Sequence, residues 1–102
     1  MELGTVKRKA ALYSVVRSDR DALAVTLMGY LCASYGWDHA TYIDAKVSRS
    51  GSVSTWNWDR LLDDIAKGLY DIVLLWQEVP GLEDYCNRYN TRLELVDPLR
   101  YR

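Results

Sequence analysis

One short segment near residue 70 restricts the possible folds of this chain more than any other. The five residues from Ile72 to Trp76 are all apolar and lie between Asp71 and Gln77. A strand with water on one face alternates apolar and polar side chains, so an unbroken apolar run predicts a strand covered on both faces. Such strands occur in the middle of parallel sheets, whose neighbouring strands are joined by helices. The segment therefore predicts an α/β fold.

Further strands and helices can be placed around this segment. Apolar or alternating patterns predict strands at about 10–16, 41–43 and 92–96, and helical spacing predicts helices at about 20–35, 57–67 and 81–89. Gly36 and Gly68 follow two of the helices as stop signals, and Pro80 precedes the third. The Ser/Gly-rich stretch 48–55 has no periodicity and predicts a loop. The order βαβαβαβ predicts right-handed crossovers and a three-layer α/β domain.

The apolar pattern also predicts which side chains face inward. The first helix has a stripe at Leu23, Leu27, Tyr30 and Leu31. The third helix is expected to point four side chains inward: Leu82, Tyr85, Cys86 and Tyr89. We expect a single core that contains Leu12, Val16, Leu27, Leu31, Leu62, Ile65, Val73, Leu75 and Leu93.

Composition limits the functional classes. A length of 102 residues accommodates one domain, 1–102, and nearly half of the residues are apolar (49%), as in ordinary globular proteins. The net charge of −1 gives no overall attraction to nucleic acid, so any DNA contact has to be local and weak. Cys32 and Cys86 are expected to be reduced core thiols, and no spacing of Cys and His predicts a metal site or a cofactor. No signal peptide or membrane span is predicted, so we expect a cytoplasmic protein.

The segment from Tyr13 to Asp19 reads Tyr-Ser-Val-Val-Arg-Ser-Asp and is followed by a predicted helix. It resembles the opening of the catalytic domain of serine recombinases, the resolvase/invertase family, in which a strand leads through Tyr-x-Arg-Val-Ser-Thr into a helix. The resemblance continues, without gaps at first, through these segments: Gly36-Trp37, Tyr42-Ile43-Asp44, Val47-Ser48, Arg60 to Ile65, Asp71 to Trp76 and Leu93 to Asp97. It implies a flavodoxin-like resolvase-type domain with a mainly parallel sheet in strand order 2-1-3-4, and no C-terminal DNA-binding domain.

The catalytic positions of the resembled family are not retained. Arg17 stands at the position of the nucleophilic serine, and Val15 replaces the arginine two residues before it. Gln77-Glu78-Val79-Pro80 stands where the family has arginines that hold the scissile phosphate. Serine attack on a phosphodiester needs an activated hydroxyl and nearby cations. The resemblance therefore implies a protein that is not an enzyme.

Polar residues are expected to collect at the carboxyl ends of the strands, where ligands of open α/β sheets bind. The crevice candidates are Arg17, Ser18, Asp19, Arg20, Asp44, Lys46, Gln77 and Glu78. One interpretation is a vestigial or repurposed phosphate or peptide crevice. The favoured interpretation is a mutually neutralising set, with Arg17 near Glu78 and Asp19 as a helix cap. Ser18 could act as a displaced nucleophile, but an N-cap role is favoured.

The predicted function is a non-catalytic, recombinase-like interaction module that binds a protein partner in a DNA-recombination, mobile-element or phage context. In the resembled family, a helix after the last of these strands covers apolar surface and contacts a second subunit, whereas this sequence stops after Leu99-Arg100-Tyr101-Arg102. A homodimer or a hetero-complex is expected, with the homodimer favoured. The interface candidates are Trp56, Tyr85, Tyr89, Leu99 and Tyr101. The alternatives are a small regulatory DNA-binding protein and a divergent phosphoryl-transfer enzyme that uses Ser18 with Arg17 and Arg20.

Overall fold

The computed structural model describes residues 8–45 and 56–99. Four strands and three helices alternate along the chain in these ranges: β1 (Lys9–Val16), α1 (Asp19–Ser34), β2 (Asp38–Ala45), α2 (Trp56–Ala66), β3 (Ile72–Leu75), α3 (Leu82–Arg88) and β4 (Arg92–Leu95). The strands form one parallel sheet in the order β2-β1-β3-β4. This is the α/β fold and the strand order that the resemblance implied. The predicted loop at 48–55 lies outside the described residues.

The second strand is longer than its sequence predicts. The pattern indicated only residues 41–43, but β2 pairs with β1 along eight residues, from Lys9 opposite Asp38 to Val16 opposite Ala45. The prediction was too short because β2 is an outer strand whose exposed side chains include polar ones. Its backbone hydrogen bonds with β1 do not require an apolar side chain at each position. Strand β1 is thus hydrogen-bonded to β2 on one side and to β3 on the other.

The prediction of a single core was wrong, because the sheet separates two clusters. Side chains alternate between the faces of a strand, so Leu12 and Val73 lie on opposite faces although their strands are neighbours. The first cluster, on the side of α2 and α3, consists of Ala11, Tyr13, Tyr42, Leu61, Ile65, Val73, Leu75, Leu82 and Cys86. The second, on the side of α1, consists of Ala10, Leu12, Val25, Met28, Cys32, Trp37, Ile72 and Leu74. Val16 is only half-buried at the end of β1.

The predicted inward stripe of α1 was also wrong. Leu23 is 51% exposed and Tyr30 is 69% exposed, while Leu27 and Leu31 are half-buried. The buried face of the helix consists of Asp21, Ala24, Val25, Met28 and Cys32. Apolar residues surround most of α1, so spacing alone does not select a face. Packing against the sheet, rather than the apolar spacing within the helix, therefore determines which face is buried.

The ends of the helices follow their sequence signals. Gly36 and Gly68 follow α1 and α2 with φ angles of 73° and 76°, a conformation that glycine adopts without strain. In α3, Leu82 and Cys86 are fully buried as predicted. Tyr89, however, lies after the end of the helix and is exposed, so its predicted inward position was wrong. Cys32 and Cys86 are free, buried thiols. Within the described ranges, no helix has the length and apolar character needed to cross a membrane.

The assignment of the buried face of α1 can be tested with two substitutions. Met28→Ala should lower the free energy of unfolding by roughly 2–5 kcal/mol, because it leaves a cavity in the cluster between α1 and the sheet. Leu23→Ala is the matched control on the exposed side, and it should lower the free energy of unfolding by much less than Met28→Ala does. Urea unfolding of both variants checks the assignment. A larger loss for Leu23→Ala would mean that α1 packs through its other face.

Candidate functional site at the carboxyl edge of the sheet

The strand order places a crevice between the carboxyl ends of β1 and β3. From β1 the chain passes through α1 to β2 on one side, and from β3 it passes through α3 to β4 on the other. Ligands of open α/β sheets bind at this kind of switch point. A cavity of about 150 Å³ lies there, lined by Ser14, Val15, Arg17, Gln77, Glu78, Val79 and Pro80. A small cavity therefore lies at the predicted edge, and three of the eight crevice candidates line it: Arg17, Gln77 and Glu78.

Ser18 is the N-cap of α1. Its backbone is extended, and its Oγ accepts a hydrogen bond of 3.3 Å from the backbone N–H of Asp21. This geometry is that of a serine that satisfies one of the free N–H groups at the start of a helix. The favoured prediction for Ser18 is confirmed, and the expectation that Asp19 is the cap was wrong. Asp19 is the exposed first residue of the helix.

Asp21 connects the turn after β1 to the end of β3. Its carboxylate accepts hydrogen bonds from the backbone N–H of Arg17 (2.9 Å) and from the indole Nε1–H of Trp76 (2.9 Å). The hydrogen bond from Arg17 is the largest cause that holds the pKa of Asp21 below its ordinary value. Burial raises this pKa, while the hydrogen bonds with Trp76 and Ser18 lower it further. Asp21 was absent from the sequence candidates. The spacing Ser-x-x-Asp, close to that of a capping box, was the signal that could have identified it.

Asp44 is a structural residue at the end of β2. It is 1% exposed, and its two oxygens accept hydrogen bonds from the Tyr13 hydroxyl (2.8 Å) and from the backbone N–H groups of Asn57 (2.9 Å) and Trp58 (3.0 Å). The carboxylate therefore satisfies the N-terminus of α2, where a negative charge is favourable. Burial and the Asp44 carboxylate raise the pKa of Tyr13 above its ordinary value. These contacts remove Asp44 from the crevice candidates.

The remaining charged candidates are only partly brought together. Arg17 and Glu78 line the same cavity, yet no ion pair joins them in the described part of the chain. Arg20 lies over the ring of Trp76, with its Cζ atom 5.8 Å from the ring centroid. Lys46 lies outside the described residues. Arg17 and Glu78 are therefore near each other, as expected, but they do not form a salt bridge.

The crevice has little chemistry to offer. Arg17 is the one cation that lines the cavity, and Glu78 opposes it with a negative charge. The serine hydroxyl nearest to Arg17 in the sequence, that of Ser18, serves as the helix cap. Nucleophilic catalysis needs a hydroxyl beside a base, with donors around the oxyanion. Among the residues that line this cavity, the hydroxyl of Ser14, which is 6% exposed, and the guanidinium of Arg17 match single parts of that set, and the lining contains no second cation.

The interface candidates divide into structural and exposed residues. The Tyr85 hydroxyl donates a hydrogen bond of 2.8 Å to the backbone carbonyl of Leu62, so this half-buried side chain holds α3 to α2. Tyr89 is 39% exposed, with its ring centroid 5.0 Å from that of Tyr85. Leu99 is half-buried. Tyr101 lies outside the described residues, and so does the side chain of Trp56.

A second cavity, of about 140 Å³, adjoins the crevice on the side of α3 and β4, and we name it the α3–β4 groove. Its apolar residues are Leu75, Val79, Leu93 and Leu95, and its acidic residues are Glu78, Glu83 and Asp84. Leu95 is 55% exposed. No carboxylate of this groove has an ion pair with another described residue. The sequence pattern did not indicate this surface, because it placed Leu95 only in an edge strand.

With this geometry in view, the fold is that of a resolvase-type α/β domain. The structure is similar to the crystal structure of a resolvase family site-specific recombinase from Streptococcus pneumoniae, with a TM-score of 0.67. The match covers 87% of this chain and 72% of that chain at 16% sequence identity, and it shows a shared fold. No protein-family model matches the sequence, and the search of curated proteins finds no match.

The role of Asp21 predicts a pH dependence of stability. Its pKa is lower in the folded chain than the ordinary value of 3.8, so the ionised carboxylate stabilises the fold above that value. The contribution is lost as the pH falls through the lower folded pKa. Asp21→Asn should therefore lower the free energy of unfolding at neutral pH and flatten its decrease between about pH 5 and pH 2. Urea unfolding across this range measures both effects.

Asp19→Asn is the matched control for this experiment. It removes a negative charge from the same helical turn but touches neither Arg17 nor Trp76 through a hydrogen bond in the structure. If it flattened the profile as much as Asp21→Asn, the effect would belong to the helix dipole rather than to the hydrogen bonds of Asp21.

Proposed function

We propose that this chain is a non-catalytic, resolvase-like interaction module that binds a protein partner through the α3–β4 groove. The observation that carries the proposal is the groove itself, in which exposed apolar side chains lie beside carboxylates that have no ion pair among the described residues. The recombinase that shares the fold suggests a DNA-recombination context, such as that of a mobile element or phage. The partner is a second copy of the chain or another protein of that context.

The composition of the crevice supports the absence of catalysis. A phosphoryl-transfer centre concentrates cations where negative charge develops, and electrostatic stabilisation of that charge is usually the largest catalytic contribution. Here Arg17 faces Glu78 across a cavity of about 150 Å³, and Asp21 lies buried behind Arg17. Two carboxylates beside one guanidinium oppose the approach of a phosphodiester. The same charges argue against a DNA-binding surface at this edge.

The chemistry of the α3–β4 groove specifies the partner. Leu95 exposes apolar surface on the outer strand at this groove, and exposed apolar side chains beside polar ones are typical of binding sites. Glu83 and Asp84 in the first turn of α3 stabilise the helix start and also present negative charge to the groove. A complementary partner segment has an apolar residue flanked by Lys or Arg.

Incubation with supercoiled plasmid tests the proposed absence of catalysis. The purified protein, with or without magnesium, should neither nick nor join the DNA, and denaturing gels should show no covalent protein–DNA adduct. An adduct that disappears in Ser18→Ala would establish the alternative of a displaced serine nucleophile. Binding of DNA fragments is measured in parallel, because affinity with a steep salt dependence would favour the DNA-binding alternative instead.

Affinity purification from the native cell, followed by mass spectrometry, tests the proposed surface. The wild-type chain should retain a specific protein that is lost with Leu95→Ser and reduced at least tenfold with Glu83→Lys. Leu69→Ser is the matched control, because Leu69 is similarly exposed (45%) but precedes β3. Light scattering of the purified chain determines whether the partner is a second copy.

The variants distinguish binding of a specific partner from non-specific hydrophobic binding. Equal retention by the wild type, Leu95→Ser and Leu69→Ser would exclude the α3–β4 groove as the binding surface. A monomeric chain that retains no protein under any condition would contradict the proposal as a whole. Each variant is first checked for a wild-type unfolding midpoint.

A further inference from the structure

A second groove lies on the other face of the sheet, between the end of α1 and strands β3 and β4. It has a volume of about 250 Å³ and is lined by Arg8, Leu31, Tyr35, Trp37, Ile72, Leu74, Arg92, Glu94 and Val96. We name it the Trp37 groove. It shares no lining residue with the α3–β4 groove. Its volume exceeds that of apolar cavities of about 150 Å³ that accept benzene.

Two hydrogen-bond donors at this groove have no acceptor. The indole Nε1 of Trp37 and the guanidinium Nε of Arg8 are closed to solvent, and neither has a hydrogen-bond partner in the described residues. A buried donor without a partner costs about 1–3 kcal/mol, and native proteins contain few of them. Both groups are donors only, so the chemistry that would satisfy them is an oxygen acceptor.

The two donors belong to groups in direct contact. The Cζ atom of Arg8 lies 5.8 Å from the centroid of the Trp37 ring. The centroids of the Tyr35 and Trp37 rings are 5.1 Å apart. Trp37 is 7% exposed, and its backbone N–H donates to the carbonyl of Cys32 (3.0 Å), which fixes its position after α1. Trp37 is thus held in place beside Tyr35, and Arg8, whose side chain is partly exposed, lies over its ring at the groove.

The charged residues that line the groove are Arg8, Arg92 and Glu94. Arg92 is paired with Glu94 at 2.6 Å, so these two side chains neutralise each other. On the neighbouring surface, Lys9, Asp38 and Asp71 lie beside Arg8, and Asp71 accepts a hydrogen bond from the backbone N–H of Lys9 (3.0 Å). The guanidinium of Arg8 has no ion pair within the described ranges. Among the lining residues, Arg8 is therefore the positive charge that an ion pair does not neutralise.

We propose that the Trp37 groove binds a small aryl or alkyl carboxylic acid. The carboxylate accepts hydrogen bonds from Trp37 Nε1 and Arg8 Nε, and the apolar body lies on Leu31, Leu74 and Val96. Entry requires the partly exposed Arg8 side chain to turn, which is a rapid motion for such residues. This inference is independent of the proposed protein partner, because it concerns the opposite face of the sheet.

Titration with phenylacetate, followed by ¹⁵N NMR, tests the inference. The chain has four tryptophans, and Trp37→Phe assigns the Trp37 indole signal among them. Phenylacetate should move that signal downfield in a saturable manner, as expected for an N–H that gains an acceptor. Toluene and phenethylamine, which have the ring but no acceptor, should bind at least tenfold more weakly.

Two arginine variants complete the test. Arg8→Gln should weaken phenylacetate binding at least tenfold, whereas Arg88→Gln, on α3 at the other face, should leave it unchanged. Amide spectra of each variant confirm that it is folded. The inference would be overturned if phenylacetate caused no saturable shift of the Trp37 signal, if phenethylamine bound as tightly, or if both arginine variants behaved as the wild type.

Discussion

The buried carboxylate of Asp44 joins three elements of the fold at one point. It accepts hydrogen bonds from Tyr13 in β1 and from the first turn of α2, while its own backbone belongs to β2. A charged group that is 1% exposed is tolerated only where its oxygens are satisfied, so the start of α2 and the pairing of β1 with β2 depend on each other. Tyr13 also packs against Trp58, with ring centroids 5.3 Å apart, which carries this constraint into the cluster beneath α2.

A second carboxylate closes the neighbouring strand end in the same way. Asp21 accepts from the turn after β1 and from Trp76 after β3, and so it lies behind the crevice where the ligands of comparable sheets bind. Hydrogen bonds to charged groups are stronger than those between neutral groups, so these contacts make the strand ends rigid. Asp21 and Asp44, two carboxylates at these strand ends, are already engaged in holding helices to strands. This is a structural reason to look for binding on the outer faces of the domain.

The sequence predicted those features whose cause is local. The apolar run at β3 identified the centre of the sheet, Gly36 and Gly68 marked helix ends, and Ser18 was identified as a cap from its type and position. The face of α1 could not be predicted, because Leu23 and Met28 both belong to plausible apolar stripes and only the shape of the sheet selects between them. Asp21 and Asp44 acquire their roles from residues 55 and 31 positions away, Trp76 and Tyr13. The local spacing Ser-x-x-Asp marks Asp21 as a residue of the helix start, but the long-range contacts of Asp21 and Asp44 leave no spacing signal.

The two faces of the sheet differ in how completely they are covered, and this difference accounts for the two grooves. On one face, α2 and α3 cover the first cluster, and the gap that remains lies at the outer strand, where Leu95 is exposed. On the other face, α1 packs mainly on β1 and β2, so Ile72, Leu74 and Val96 lie beyond the helix, in the cluster that contains Trp37 and Trp76. A large side chain fills such a gap only approximately. An indole N–H brought inside in this manner has no strand or helix partner, and Trp37 is left with a donor that the rest of the described chain does not satisfy.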